Sequence, residues 1–295
     1  MKVDPLKASP TLCVFANFRI DNEERLQRMR DSFYSFCDVM PNEWRINIRG
    51  CKKLEAAEFI RSNIRAKVFI SHKESRRGWF KDSLDTIDGL TSEFVFFWIE
   101  DHICISDISV LRGVIEEMSL HCVDQLIYSW FPQHWRTHQV FPVVEVGNYI
   151  DVRHVNPRSV SEARKVIGYD FYVISAVSLM RTQFFVGLLK SGRPRLRRWS
   201  RFLPFDFEKR ASDIAGTVFK IAMPQKELFV AIDDDHHETG YCLISRGLYP
   251  GRMQRSGLKD VESLGPSKSI GFLKVLFPRS VRILLRRVAY TLRIC

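Results

Sequence analysis

Two short segments carry carboxylates and imidazoles together, each directly after an apolar run. The first is the tripeptide Glu100-Asp101-His102, which follows residues 94–99 (FVFFWI). The second is residues 233–238 (DDDHHE), which follow residues 228–232 (LFVAI). Carboxylates crowded in this way raise one another's pKa and are costly unless a cation offsets them. Because Mg²⁺ and Mn²⁺ prefer oxygen ligands, the two segments predict a divalent-metal site with an acid–base group.

The elements that would position these groups alternate between strand and helix. Short apolar or alternating runs predict strands at residues 11–15, 44–48, 67–70 and 94–99. Apolar side chains at helical spacing predict helices at residues 23–36, 54–64 and 79–90. Four strands joined by three helices predict a parallel, right-handed βαβ sheet, which binds ligands at the carboxyl ends of its strands. The tripeptide would lie there, although acids at that place could instead cap the next helix.

The pattern is less regular after residue 100. It predicts helices at residues 105–118 and 179–189, and strands at residues 126–130, 143–149, 171–175 and 228–232. The predicted fold class is therefore α/β, a single Rossmann-type domain with a mostly parallel central sheet.

This element order, with an acidic tripeptide after an apolar fourth strand, resembles the GT-A class of nucleotide-sugar glycosyltransferases over roughly residues 11–240. The resemblance implies that an Asp-x-Asp-like motif binds Mg²⁺ or Mn²⁺, which in turn binds the diphosphate of the sugar donor. The matching positions are Glu100, Asp101 and His102. Since the third position is a histidine here, either Glu100 or His102 would join Asp101 on the metal.

The resemblance also implies roles for two further groups of residues. In inverting enzymes of this class a carboxylate deprotonates the acceptor hydroxyl, and Asp233, Asp234 and Asp235 are the candidates here, with His236 as a further metal or phosphate contact. The alternative is a solvated acidic turn before Gly240. The nucleotide would bind just after the first strand, where the chain carries Asn17, Arg19 and Asp21.

Composition limits the class of protein. The 295 residues are 45% hydrophobic, which suffices for a substantial core, and the net charge of +11 favours anionic partners. The seven cysteines form no C-x-x-C pair, so we expect reduced thiols in the cytoplasm rather than zinc fingers or disulfides. The first twelve residues lack the apolar core of a secretory signal, and no run of about 18 apolar residues predicts a membrane span.

The last residues of the chain predict a basic amphipathic helix. One helical stripe is apolar and consists of Val281, Leu284, Leu285, Val288 and Leu292. Another consists of Arg282, Arg286 and Arg293. Such a helix suits an anionic membrane surface, although it could also pack on the core. We therefore divide the chain into a catalytic domain, 1–266 (donor half 11–120, acceptor half 121–266), and a tail, 267–295.

The predicted function is metal-dependent sugar transfer from a nucleotide-sugar to a glycan or lipid-linked acceptor. We expect it in cell-surface polysaccharide or lipopolysaccharide synthesis, at the inner face of a membrane. One alternative is a metal-dependent phosphohydrolase or nuclease that uses the same acids. Another is a basic module that binds nucleic acid or membrane, since arginines crowd residues 193–201. Nucleic acid is not the expected partner, and a zinc site at His134 and His138 is not expected either.

Overall fold

The computed structural model describes residues 9–75, 78–130, 139–190, 207–214, 216–233 and 240–250. The chain separates after Tyr249 into two units, and the second unit, apart from Pro250, lies outside the described residues. The predicted tail therefore lies outside them as well. The same holds for Asp234, Asp235 and His236, for His134 and His138, and for the arginines of residues 193–201.

The first half of the chain forms the predicted βαβ unit. Its elements in order are β1 (Leu12–Arg19), α1 (Glu23–Phe36), β2 (Glu43–Arg49), α2 (Lys53–Asn63), β3 (Lys67–Ser71), α3 (Trp79–Thr86) and β4 (Phe94–Phe97). The four strands are parallel and lie in the order β3-β2-β1-β4. Helix α1 begins as the sequence indicates, because the side chain of Asn22 accepts the amide of Arg25 and caps the first turn.

The second half extends this sheet. Its elements are β5 (His102–Cys104), α4 (Ile108–Leu120), β6 (Gln125–Ile127), β7 (Val143–Val146), β8 (Ile150–Val155), α5 (Pro157–Ile167), β9 (Tyr172–Ile174), β10 (Ser178–Arg181), α6 (Thr182–Lys190), β11 (Lys209–Arg210), β12 (Phe219–Pro224) and β13 (Phe229–Ala231). The sheet order is β3-β2-β1-β4-β10-β6-β12-β8-β7. Only β10 and β8 run against the other seven strands, so the predicted mostly parallel α/β sheet is confirmed.

Several elements differ from the sequence-based expectation. Residues 179–189 were expected to be one helix, but Ser178–Arg181 is a buried strand between β4 and β6, and α6 begins only at Thr182. Helix α3 ends at Thr86 rather than at residue 90. Elements β5, β8, β12 and α5 were not predicted. Strands of three to six residues carry too few side chains for a period-2 pattern to distinguish them from loops.

The core lies on both faces of the sheet. Helices α1, α2 and α4 cover one face, and helices α3, α5 and α6 cover the other. Along β4 the side chains alternate between these faces, with Phe94, Phe96 and Trp98 on the first and Val95 and Phe97 on the second. This double burial explains why residues 94–98 are apolar without interruption. Within the described part of the chain, no helix combines the length and apolar character that crossing a membrane requires.

Candidate active site

The acidic tripeptide lies in a tight turn at the carboxyl end of β4. The amide of Trp98 still bonds to the carbonyl of Phe15 in β1 at 2.8 Å, and the amide of His102 then returns to the carbonyl of Ile99 at 3.2 Å. The chain reverses there and enters β5 at His102. Glu100 and Asp101 are therefore placed at the carboxyl edge of the parallel strands, where the sequence predicts a ligand site.

The second acidic segment reaches the same place through β13. This strand pairs antiparallel with β5, so that Ala231 lies opposite His102, and the amide of Ile232 bonds to the carbonyl of Asp101 at 2.7 Å. Asp233 follows at once. Two segments separated by about 130 residues of sequence thus converge at one edge. The rest of the second segment, including Asp234, Asp235 and His236, lies outside the described residues.

One stripe of helix α1 holds this edge in register. Arg25 approaches Glu100 at 3.7 Å, Ser32 donates to the carbonyl of His102, and Ser35 accepts the amide of Cys104 at 2.8 Å. Together with Arg28, described next, these residues repeat at intervals of three and four, which places them on one face of a helix. Ser32 also accepts a hydrogen bond from the buried indole of Trp98 at 2.9 Å.

Arg28 bonds to the second acidic segment and lies in the electrostatic field of the first. Its Nη2 atom donates to Glu24 at 2.6 Å and to Asp233 at 3.0 Å, and the side chains of Arg28 and Asp233 are only 12% and 13% exposed. Burial opposes the charge of Arg28, but the hydrogen bond and charge of Asp233, with the charges of Glu24 and Asp101, raise its pKa above the ordinary value. The guanidinium group therefore lies in the field of acids from both segments.

The two adjacent carboxyls of the tripeptide have opposite pKa shifts. Burial, followed by the charge of Asp101, raises the pKa of Glu100 to about 7. For Asp101 burial acts in the same direction, but the hydrogen bond and charge of His102 outweigh it and lower the pKa. His102 makes this bond through Nδ1, 2.7 Å from Oδ1 of Asp101. The bond to His102 thus favours the ionised form of Asp101, whereas burial beside Asp101 favours the protonated form of Glu100.

This donor set fits a hard divalent cation that shares its coordination with a substrate. Among the described residues no three histidine, cysteine or acidic side chains form a metal cage. Mg²⁺ is usually held by one or two carboxylates together with substrate phosphates and water. Asp101 and Glu100 meet that requirement, because the two carboxyls are adjacent at the carboxyl edge of the sheet.

The residues predicted to bind the nucleotide have different surroundings. Asn17 is buried, and its amide hydrogens are both used inside the protein, at the carbonyl of Trp79 and the hydroxyl of Ser83. The amide of Asn17 thus belongs to the interior of the sheet, and its contact with a nucleotide stays a prediction. Arg19 and Asp21 do lie at the exposed edge, where Arg19 pairs with Asp21 at 2.9 Å and with Glu74 at 2.6 Å.

Asn17 is part of a polar network between the first three strands. Its Oδ1 accepts from Nδ2 of Asn47, the residue directly opposite it on β2. Asn47 in turn donates to the carbonyl of Lys73 and accepts from the amide of Lys73 and the hydroxyl of Ser71. The network therefore fixes the loop that follows β3 at the carboxyl edge.

The structure adds residues that the sequence reasoning missed. Glu24 and Arg28 have the i, i+4 spacing of a helical ion pair, which is a signal in the sequence, but nothing there indicates Asp233 as a partner of Arg28. Beyond the second acidic segment, Tyr249 hydrogen-bonds to Asp31 of α1, one turn after Arg28. Burial and this carboxylate raise the pKa of Tyr249. Helix α1 thus contacts the chain on both sides of residues 234–239.

The sheet topology decides the fold assignment. The four parallel strands, their three helices and the acidic turn after β4 reproduce the element order on which the resemblance to glycosyltransferases rests. The fold is GT-A-like. No protein-family model matches the chain, and the search of curated proteins also gives no match.

Solved structures similar to the chain include TarS from S. aureus and a mannosyltransferase. TarS residues 1–349 is 15% identical with a TM-score of 0.43, and the match covers 75% of this chain and 60% of that one. A second structure of S. aureus TarS is 16% identical with a TM-score of 0.44, and the match covers 75% of this chain and 36% of that one. The mannosyltransferase PcManGT from Pyrobaculum calidifontis, in complex with GDP-Man and Mn²⁺, is 12% identical with a TM-score of 0.47. This match covers 78% of this chain and 59% of that one. The chain thus spans about 60% or less of these proteins, and TM-scores below 0.5 do not decide its reaction.

Proposed function

We propose that the protein is a metal-dependent glycosyltransferase that moves a sugar from a nucleotide-sugar to a hydroxyl acceptor. The observation that carries the proposal is the convergence of Asp101 and Asp233 at the carboxyl edge of a GT-A-like sheet. Sugar transfer needs one group that anchors the donor diphosphate and another that accepts the acceptor's proton. Two acidic segments brought to one edge would supply both kinds of group.

Each residue at this edge has a proposed role. Asp101, with Glu100, would hold Mg²⁺ or Mn²⁺, which when bound offsets the charge of the diphosphate leaving group. His102 holds the carboxylate of Asp101 through Nδ1 and so fixes its direction. Because Asp233 is engaged by Arg28, we assign proton acceptance to Asp234 or Asp235.

The reaction balances with these groups alone. The acceptor hydroxyl gives its proton to the carboxylate while its oxygen forms a bond to the anomeric carbon of the sugar. The bond from that carbon to the diphosphate oxygen breaks, and the nucleoside diphosphate leaves with the electron pair. Attack on the face opposite the leaving group would invert the anomeric centre, which is the outcome we propose.

The test is a binding screen followed by product analysis. The full-length protein is titrated with UDP-, GDP-, CMP- and dTDP-sugars in the presence and absence of Mn²⁺. We expect one nucleotide class to bind, and to bind more tightly with Mn²⁺. Binding of none of them would contradict the proposal. Release of free phosphate without sugar transfer would instead support the phosphohydrolase alternative.

We further propose that the protein acts at the inner face of a membrane, on a glycan or lipid-linked acceptor of surface polysaccharide synthesis. Support comes from the sequence of the tail, in which Arg282, Arg286 and Arg293 form a stripe apart from the apolar one. Each such charge contributes about 1 kcal/mol near an anionic surface. Replacing the three arginines by glutamine in the full chain should abolish sedimentation with phosphatidylserine-containing vesicles. Unchanged sedimentation would contradict this membrane role.

A further inference from the structure

Arg28 of helix α1 bonds to Asp233 of the second acidic segment and lies in the field of Asp101 of the first. We propose that Arg28 is a positioning residue, a built-in cation that holds Asp233 beside Asp101 and restrains the affinity of this edge for divalent metal. This inference rests on the proposed function only in so far as the acids bind a metal.

The geometry makes Arg28 a rigid link. Its Nη2 carries two hydrogens, and the two contacts at this atom go to Glu24 and to Asp233. Glu24 lies one turn earlier on the same helix, so it fixes the direction of the Arg28 side chain. If Asp233 shifted, the guanidinium group could follow it only by breaking its hydrogen bond to Glu24. A shift of Asp233 would therefore cost Arg28 one of these two bonds.

Burial gives this link its strength. With side chains only 12% and 13% exposed, Arg28 and Asp233 are largely shielded from water. Removing one partner of a shielded pair leaves the other charge uncompensated, which is far more costly than the loss of a surface ion pair. Asp233 is therefore expected to move, and residues 234–235 with it, if Arg28 loses its charge.

The same charge opposes metal binding. A divalent cation at Asp101 and Glu100 is repelled by the guanidinium group, whose own pKa responds to the charge of Asp101. Removing one nearby positive charge should therefore tighten Mn²⁺ binding by about three- to tenfold, the range for a separation of about 6–13 Å at the dielectric constant of water. A residue that only supported the fold would have the opposite effect or none, because a disturbed site binds metal more weakly.

The test compares Arg28→Met, Arg28→Lys and Arg158→Met in the full-length protein. Arg158 is the control, since its exposed side chain forms an i, i+4 ion pair with Glu162 on helix α5. Mn²⁺ alone is titrated by water-proton relaxation, and kcat and the donor KM are measured at saturating metal. We expect Arg28→Met to bind Mn²⁺ about three- to tenfold more tightly. Its kcat should fall by about 10- to 100-fold with little change in KM, because a misplaced group costs turnover more than binding.

The Arg28→Lys variant separates the effect of the positive charge from that of the arginine's shape. Arg28→Lys keeps the positive charge and enough hydrogens for both acids, so it should restore most of kcat and the parental Mn²⁺ affinity. Arg158→Met should leave both values unchanged. Weaker or unchanged Mn²⁺ binding in Arg28→Met, or a lysine variant no better than methionine, would overturn the proposal.

A thermal unfolding cycle keeps the inference apart from the proposed function. Arg28→Met, Asp233→Asn and the double variant are melted without metal. If the two residues act through each other, the double variant loses less in Tm than the sum of the single losses. Additive losses would overturn the link between them. A protein that shows the coupling and the Mn²⁺ response but transfers no sugar would contradict the proposed function and leave the role of Arg28 standing.

Discussion

The backbone amide of Ile232 donates to the backbone carbonyl of Asp101 at 2.7 Å. This bond joins the two acidic segments without using either acidic side chain. Substitutions of the side chain of Asp101 should therefore leave the paths of β5 and β13 unchanged. The acidic side chains can therefore be substituted without disrupting the pairing of β5 with β13.

Asp101→Asn should abolish metal-dependent donor binding while the protein stays folded. The amide has nearly the shape of the carboxylate but carries no charge for the metal. We expect kcat to fall by about 100-fold or more, as when a group that stabilises charge in the transition state is lost. Donor titrations with and without Mn²⁺ measure the effect, and Tm checks the fold.

Asp88→Asn is the matched control for that experiment. Asp88 is exposed in the loop that precedes the amino end of β4, whereas the acidic turn follows its carboxyl end. The backbone carbonyl of Asp88 accepts from Arg45. This variant should bind donor and Mn²⁺ like the parent. An Asp101→Asn protein that also behaved like the parent would remove Asp101 from the proposed metal site.

Ser32→Ala should destabilise the protein by about 2–3 kcal/mol, because it leaves two buried groups without a partner. These are the indole N–H of Trp98 and the carbonyl of His102. The free energy of unfolding in urea measures the loss. Adding Trp98→Phe removes the orphaned donor, so the double variant should lose less than the sum of the two single losses. The exposed Ser62→Ala serves as control and should change stability by less than about 0.5 kcal/mol.

Gly50→Ala should be more harmful than Gly89→Ala, although both glycines have positive φ, +96° and +70°. A Cβ at Gly50 would lie 2.3 Å from the carbonyl of Ile20, whereas a Cβ at Gly89 meets nothing within 4 Å. We expect a loss of about 1 kcal/mol for Gly89→Ala from backbone strain alone. For Gly50→Ala the added clash should bring the loss of stability to about 3 kcal/mol. Equal losses in urea unfolding would show that the turn beside Arg19 and Asp21 relaxes freely.

Glu117→Gln should cost about 2–3 kcal/mol, because the buried carboxylate accepts the amides of Asn148, Tyr149 and Ile150. Glutamine offers one acceptor oxygen and turns an N–H towards the other amides. The neighbouring Glu116→Gln is exposed and should be nearly neutral. If the two variants unfold at the same urea concentration, Glu117 does not organise the turn between β7 and β8.

The first half of the fold could be predicted because its pattern is regular. Helix α1 begins and ends where its apolar spacing indicates, and β4 stands out because both of its faces are buried. The antiparallel β10 was missed because Ser178–Arg181 runs directly into α6 and the two together read as one helix. Its strand conformation comes from its place between β4 and β6, which is tertiary information that local sequence does not contain.

The candidate site, like the fold, could be predicted from the sequence only in part. The tripeptide at residues 100–102 could be found because it follows a recognisable strand. Arg28 could not, because its importance comes from Asp233, which lies 205 residues later. Asn17 was expected just after the first strand, whereas it lies within β1 and bonds to Asn47 of β2 inside the sheet.

The asparagines of β1 and β2 also bear on how the sheet assembles. Asn17 lies directly opposite Asn47, and Asn47 directly opposite Ser71. A slip of one residue between these strands would turn each amide to the other face and leave its hydrogens unmatched in the interior. Mispaired alignments of these three strands are thereby penalised. The polar side chains of Asn17, Asn47 and Ser71 thus help to specify the native register of the three strands.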